Sequence, residues 1–149
     1  MIASVAPDLD AFGIFFGRDN YERFHHVLFH NLLFGVVVTL VSVRWIGWRL
    51  GQLALVVAAF VAHLVGDYFG SGPGWGITPY RPFSSFEYLN EHAWNLASWQ
   101  NTTITAVAIV FTLVIAARHG YTPVEFISAA ADRAVVEAIR LRLRVGRAR

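Results

Sequence analysis

Residues 22–35 read ERFHHVLFHNLLFG and set three histidines, His25, His26 and His30, at the mouth of an apolar run. The chain has six histidines, so half of its imidazoles fall within six consecutive residues. Further on, AHLVGD (62–67) sets His63 and Asp67 at i, i+4, and near the start PDLD (7–10) supplies Asp8 and Asp10. Imidazoles and carboxylates without sulfur suit zinc first, with manganese or iron as further candidates. Three histidines and three carboxylates are enough for one to three ions, and carboxylates can bridge ions about 3.5–4 Å apart. Such an ion polarises an ester and lowers the pKa of its water towards roughly 7, which is hydrolytic chemistry. The chain contains no cysteine, so disulfides, thiolate metal sites and cysteine nucleophiles are all excluded.

Two helices joined near residue 47 would bring these groups together. His30 lies 17 residues before that point and His63 16 after it; His26 lies 21 before and Asp67 20 after. In an antiparallel hairpin rising about 1.5 Å per residue, these pairs share a height. His26 and His30 are also spaced i, i+4, which puts them on one helix face. A histidine in an apolar helix is commonly a satisfied core group, and i, i+4 pairs arise by chance. Imidazoles and carboxylates inside apolar helices are nevertheless costly unless paired or metal-bound. Four at one height point to a metal site.

The composition says where such helices would lie. Hydrophobic residues make up 56% of the 149-residue chain and charged ones only 15%, which points to a membrane rather than an aqueous surface. Apolar helical runs are expected at 31–43, within a pattern starting at Asn20, at 52–69 and at 102–117. Each is near the lower limit of roughly 17 residues for a bilayer crossing, and a buried helical bundle is the alternative. Residues 1–19 read as irregular, 70–85 as a Gly/Pro-rich loop, and 86–101 as a short interfacial helix carrying Trp94 and Trp99. Thr122, Pro123 and Glu125 spell a capping box that opens an amphipathic, Arg-rich helix to about residue 145. The fold class is therefore all-α: a membrane-associated bundle of about three long apolar helices plus a C-terminal amphipathic helix. One domain, 1–149, is expected, with 120–149 as its Arg-rich tail. No cleavable signal peptide is recognisable, the N-terminus lacking a basic region and a long apolar run.

PDLD (7–10), HHVLFHN (25–31), AHLVGD (62–67) and GWGITPYRPFS (74–84) together resemble, in order and rough spacing, the membrane-bound metal-dependent hydrolases of the YdjM type. The resemblance covers about residues 5–85. It implies a helical inner-membrane protein with a zinc-type hydrolase site, and metal ligands at Asp8, Asp10, His25, His30, His63 and Asp67. The family pattern Arg-Gly-x-Thr between its histidines is here His26, Val27, Leu28 and Phe29, and its serine is Asn31. Helix spacing pairs His26 with His30, whereas the family pattern selects His25; both remain candidates, with His26 as ligand or proton shuttle. His26 and Asp10 are the candidate catalytic groups.

Gly72 and Gly74 could let backbone amides approach an anionic substrate, and Arg81 could clamp one in place of the absent arginine. Glu87, Glu91 and His92 could add a base or ligand, although a solvated helix face explains them better. His119 sits at a helix end, where an imidazole suits the dipole, and NTT (101–103) is a weak glycosylation match. The expected partners are membrane lipid and a small-molecule or lipid-like ester. Nucleic acid is not expected, because no recognition motif accompanies Arg140, Arg142, Arg144, Arg147 and Arg149. Nine of the twelve arginines lie at the turn near residue 47 or from Arg118 onward. By the positive-inside rule that side is cytoplasmic and the metal end faces the exterior of a bacterial-type inner membrane. A membrane di-iron oxidase, a metal- or haem-binding subunit, and a membrane protein locked by polar pairs are the rival readings.

Overall fold

The computed structural model describes residues 2–143, and among them the only regular secondary structure is helical. The described chain forms two compact units that divide between Leu96 and Ala97.

The first unit opens with a short helix α1 (Ile2–Val5) and a 3-10 segment, Pro7–Phe16. The sequence suggested irregular chain here, but proline at the first helical position starts a tight helical turn instead. A two-turn helix α2 follows (Arg18–Phe24). The helical pattern expected from Asn20 then stops, because His25 has extended backbone and His26 has φ +66°. The chain turns through residues 25–31 before α3 (Leu32–Ile46) begins. Asn31 makes this break possible. Its side chain accepts from the Phe34 amide at 2.9 Å and donates to the Leu28 carbonyl at 2.7 Å, closing both the helix start and the turn.

α3 ends at Gly47, whose φ of +63° reverses the chain, and α4 (Leu50–Gly70) returns against it. At about 1.5 Å per residue, α4 is about 31 Å long, which matches the hydrocarbon thickness of a bilayer. α3 and α4 approach closely because residue 35 is glycine: a Cβ there would lie 2.9 Å from the Phe60 ring. Phe60 and Leu64 are buried, and α1 packs onto the same two helices.

The loop after α4 folds back on the hairpin. Ile77 and Tyr88 exchange both backbone hydrogen bonds, at 3.1 and 2.9 Å. The Trp94 amide donates to the Phe69 carbonyl at 2.9 Å, and the two rings stack. Asn90 donates to the Tyr68 carbonyl at 3.0 Å. These bonds hold residues 86–98 in extended and turn conformations, so the short helix expected at 86–101 does not form before Trp99. Helical propensity yields here to tertiary bonds.

The second unit contains α5 (Trp99–His119), capped by Ser98 and ended by Gly120 at φ +78°. Thr122 then caps a single 3-10 turn, Pro123–Phe126, and α6 spans Ala129–Leu143. The capping box is not closed by Glu125 as its spacing suggested. Asp132, from α6, takes the Thr122 amide at 2.7 Å and its hydroxyl at 2.5 Å. Arg140 reaches back to the Ala117 carbonyl at 3.0 Å and helps end α5. Arg144, Arg147 and Arg149 lie outside the described residues. α4 and α5 are each 21 residues long and apolar enough to cross a membrane; α3 is apolar but shorter.

Candidate metal centre

Three segments of the first unit converge at the end of the hairpin away from Gly47. The 3-10 segment brings Asp8 and Asp10, the turn after α2 brings His25, His26 and His30, and α4 brings His63 and Asp67.

At the heart of the cluster, His30 Nε2 lies 3.3 Å from His63 Nε2 and 3.2 Å from Asp67 Oδ2. Asp67 Oδ2 is 3.1 Å from His63 Nε2, closing a triangle of three donor atoms. Asp8 Oδ1 stands beside it, 3.4 Å from His63 Nε2 and 3.9 Å from His30 Nε2. Ligands about 2.0–2.1 Å from a tetrahedral zinc ion are about 3.3–3.4 Å from one another, so the triangle has the edge lengths of a coordination sphere. Two trios have donor atoms all within 4.8 Å of one another: Asp8, His30 and His63, and His26, His30 and Asp67.

Two buried side-chain polar atoms among the described residues lack a hydrogen-bond partner, His26 Nδ1 and Asp67 Oδ2. Both belong to the second trio. The Asp67 oxygen is close to two ring nitrogens, yet neither lies in a hydrogen-bonding direction. Orphaned buried acceptors are costly, and a cation among them would satisfy both. The donor set fits a divalent metal.

Behind the triangle, Asp10 orients the rings. Its Oδ2 is 2.9 Å from His30 Nδ1 and its Oδ1 is 2.8 Å from His25 Nδ1. An ionised carboxylate only accepts, so both Nδ1 atoms carry the proton and His30 turns its Nε2 lone pair to the triangle. The Phe29 amide also points at Asp10 Oδ2, at 3.4 Å. Burial pushes the pKa of Asp10 up, but the bonds and charges of His25 and His30 outweigh it and hold the carboxyl down at about 2. Burial likewise pushes His30 down, and Asp10 with Asp67 reverses this, raising it from 6.5 to about 9. Without a metal, a proton occupies the place that a cation would take. His26 is lowered to about 4, by burial first and then by the charge of His30, so its ring is neutral at physiological pH.

Of the residues that spacing and resemblance selected, Asp8, His26, His30, His63 and Asp67 supply the two trios. Asp10 and His25 stand one layer out, bonded to each other. His26 and His30 do not share a helix face, since the chain between them is not helical. They meet through the turn instead, with ring centroids 4.5 Å apart. Gly72 and Gly74 have positive φ, at +104° and +87°, and shape the loop. A side chain at Gly72 would meet Asn95 and Trp75, and one at Gly74 would meet nothing within 4 Å. Arg81 is exposed, and Glu87, Glu91 and His92 lie outside both trios.

Sequence reasoning passed over three residues that build the site. Trp75 stands edge-on to His25 and His26, with centroids at 5.8 and 5.5 Å. Tyr21 stacks on His25 at 4.6 Å. Thr78 donates its hydroxyl to the His26 carbonyl at 3.3 Å and pins the residue of positive φ. The tryptophan within the glycine-rich GWG was the one available signal.

No curated protein and no solved structure matches the chain significantly. Comparison with known families matches residues 1–140 to the family described as YdjM inner membrane protein. That match and the two long apolar helices locate the protein in the membrane. With nearly the whole chain covered and a His/Asp cluster able to hold a metal ion, this protein belongs to the YdjM inner membrane protein family.

Proposed function

We propose that the protein is a metal-dependent hydrolase of the bacterial-type inner membrane, cleaving an ester or phosphoester of a lipid-like substrate. The observation that carries this reading is the triangle of His30 Nε2, His63 Nε2 and Asp67 Oδ2, with edges of 3.1–3.3 Å, backed by the bond from His30 Nδ1 to Asp10.

His30, His63 and Asp67 would hold zinc, with Asp8 at the open, half-exposed side. Bound there, zinc supplies Lewis acidity and a water of pKa near roughly 7. The chain's own groups do the rest. Asp10 fixes the tautomer of His30 by holding its Nδ1 proton, so that Nε2 is the atom left to ligate once its own proton is displaced by the ion. His26, neutral and with a free Nδ1, serves as ligand or as proton carrier beside the reacting water. Trp75 and Tyr21 wall the histidine side and exclude solvent. Arg81 would meet an anionic part of the substrate. Arg44 and Arg49 flank the hairpin turn, which by the positive-inside rule puts the opposite, metal-bearing end on the exterior face.

The test is purified full-length protein in detergent, loaded with zinc, manganese or iron and offered a panel of carboxylic and phosphate esters. The expected result is metal-dependent cleavage that His63→Ala abolishes. Metal bound with no ester cleaved would defeat the hydrolase reading, and an oxygen-dependent optical signature with iron would replace it by an oxidase.

A further inference from the structure

We infer that the outer face of the α3–α4 hairpin is an acyl-chain groove with Arg81 as its phosphate anchor, so that the substrate is an anionic phospholipid. This rests on the lipid-like ester reading and names its class.

A hollow of about 260 Å³ runs between the helices, lined by Leu32, Gly35, Val36 and Leu40 on one side and Val57 and Val61 on the other. Leu32 and Val36 also line a second hollow, of about 300 Å³, closed by Pro79, Phe83 and Arg81 of the loop. The two hollows thus share a wall on α3. From Leu32 to Leu40 the first follows α3 for about 12 Å at 1.5 Å per residue. Its one hydroxyl, Thr39, is internally satisfied by the Gly35 carbonyl at 2.8 Å, so nothing in the groove asks for water. The groove lies along the bilayer-length helix α4. A hydrocarbon chain is the occupant that such a lining accepts.

The loop end of the groove is different in kind. Among the described residues, the Arg81 guanidinium has no hydrogen-bond or ion-pair partner, and a phosphate would complement it. The same end adjoins the metal cluster. Leu32 follows His30 by two residues and donates its amide to the Pro79 carbonyl at 2.9 Å. Val61 precedes His63 by two. A lipid with its chain in the groove and its phosphate at Arg81 would thus present its ester region near His30 and His63.

The experiment uses the full chain in detergent with a phosphatidylglycerol that carries a diazirine in its acyl chain, photolysed and mapped by peptide. Labelling should saturate, concentrate on residues 32–40 and 57–61, and be lost in Val36→Trp. Arg81→Ala, at an exposed position, should weaken it about ten-fold, the effect of one charge-assisted contact. Labelling spread equally over residues 99–119, or insensitive to Arg81→Ala, would overturn the inference. So would a quantitative disulfide between a cysteine at position 36 and one placed in α5, a clean assay in a chain with no cysteine. Zinc-dependent cleavage of a short, water-soluble ester without groove labelling would remove the groove and leave the hydrolase standing. Groove labelling in a protein that cleaves no ester would do the reverse.

Discussion

His30 and His63, 33 residues apart in sequence, bring their Nε2 atoms to 3.3 Å. His30 belongs to both candidate trios, and its Nδ1 is already committed to Asp10. An imidazole in that state has one lone pair to give, so His30 can serve one ion only. Elemental analysis should therefore find about one zinc per chain, where the donor count in the sequence allowed up to three. His30→Ala and His63→Ala should each weaken zinc binding by more than about 100-fold, beyond the range of an outer-layer change.

Asp10 stands outside both trios, yet it orients the His30 ring that belongs to each. Asp10→Asn keeps the shape and lets the His30 tautomer escape. Zinc affinity should fall about 10–100-fold with the protein still folded, as read by competition with a chromogenic chelator. An unchanged affinity would mean that His30 is held by packing alone.

The metal-free protein should be most stable near pH 6.5. His30 has its pKa raised from 6.5 to about 9, so its contribution is complete below 6.5 and is lost as pH rises through 9. His26 is lowered from 6.5 to about 4, so the unfolded chain binds its proton first and stability falls as pH drops from 6.5 towards 4. Thermal unfolding across pH 4–9.5 in the presence of chelator should trace this maximum. Zinc should reverse the alkaline limb, because ligation requires His30 to lose its proton.

Gly35 fixes how closely α3 and α4 approach. A methyl group there would lie 2.9 Å from Phe60, so Gly35→Ala should cost about 1–3 kcal/mol through overpacking. Thermal unfolding reads the loss, and adding Phe60→Leu should recover part of it, since the residues are in contact.

How much of this was legible in the sequence follows from which forces were local. Hydrophobic runs and the glycine at position 47 revealed the α3–α4 hairpin, and counting outward from it matched His30 with His63. The i, i+4 pair of His63 and Asp67 was legible because α4 is regular there, and their atoms meet at 3.1 Å. The break at residues 25–31 was hidden inside an apolar pattern that continues helically on paper. Its one local sign was Asn31, a strong helix cap. The role of Asp10 could not be read, because it depends on the 3-10 turn that aims both oxygens away from the triangle. Asp132 shows the same limit: Glu125 had the right spacing for Thr122, and a residue of α6 made the bonds.

All the donor atoms gather at the end of the hairpin opposite Gly47, with the apolar body of α4 between the two ends. Loading and removal of an ion held there should thereby be vectorial. In sealed vesicles, a chelator that cannot permeate should strip the protein from one compartment alone, and whichever fluid wets the loops sets the ion supply for the whole molecule.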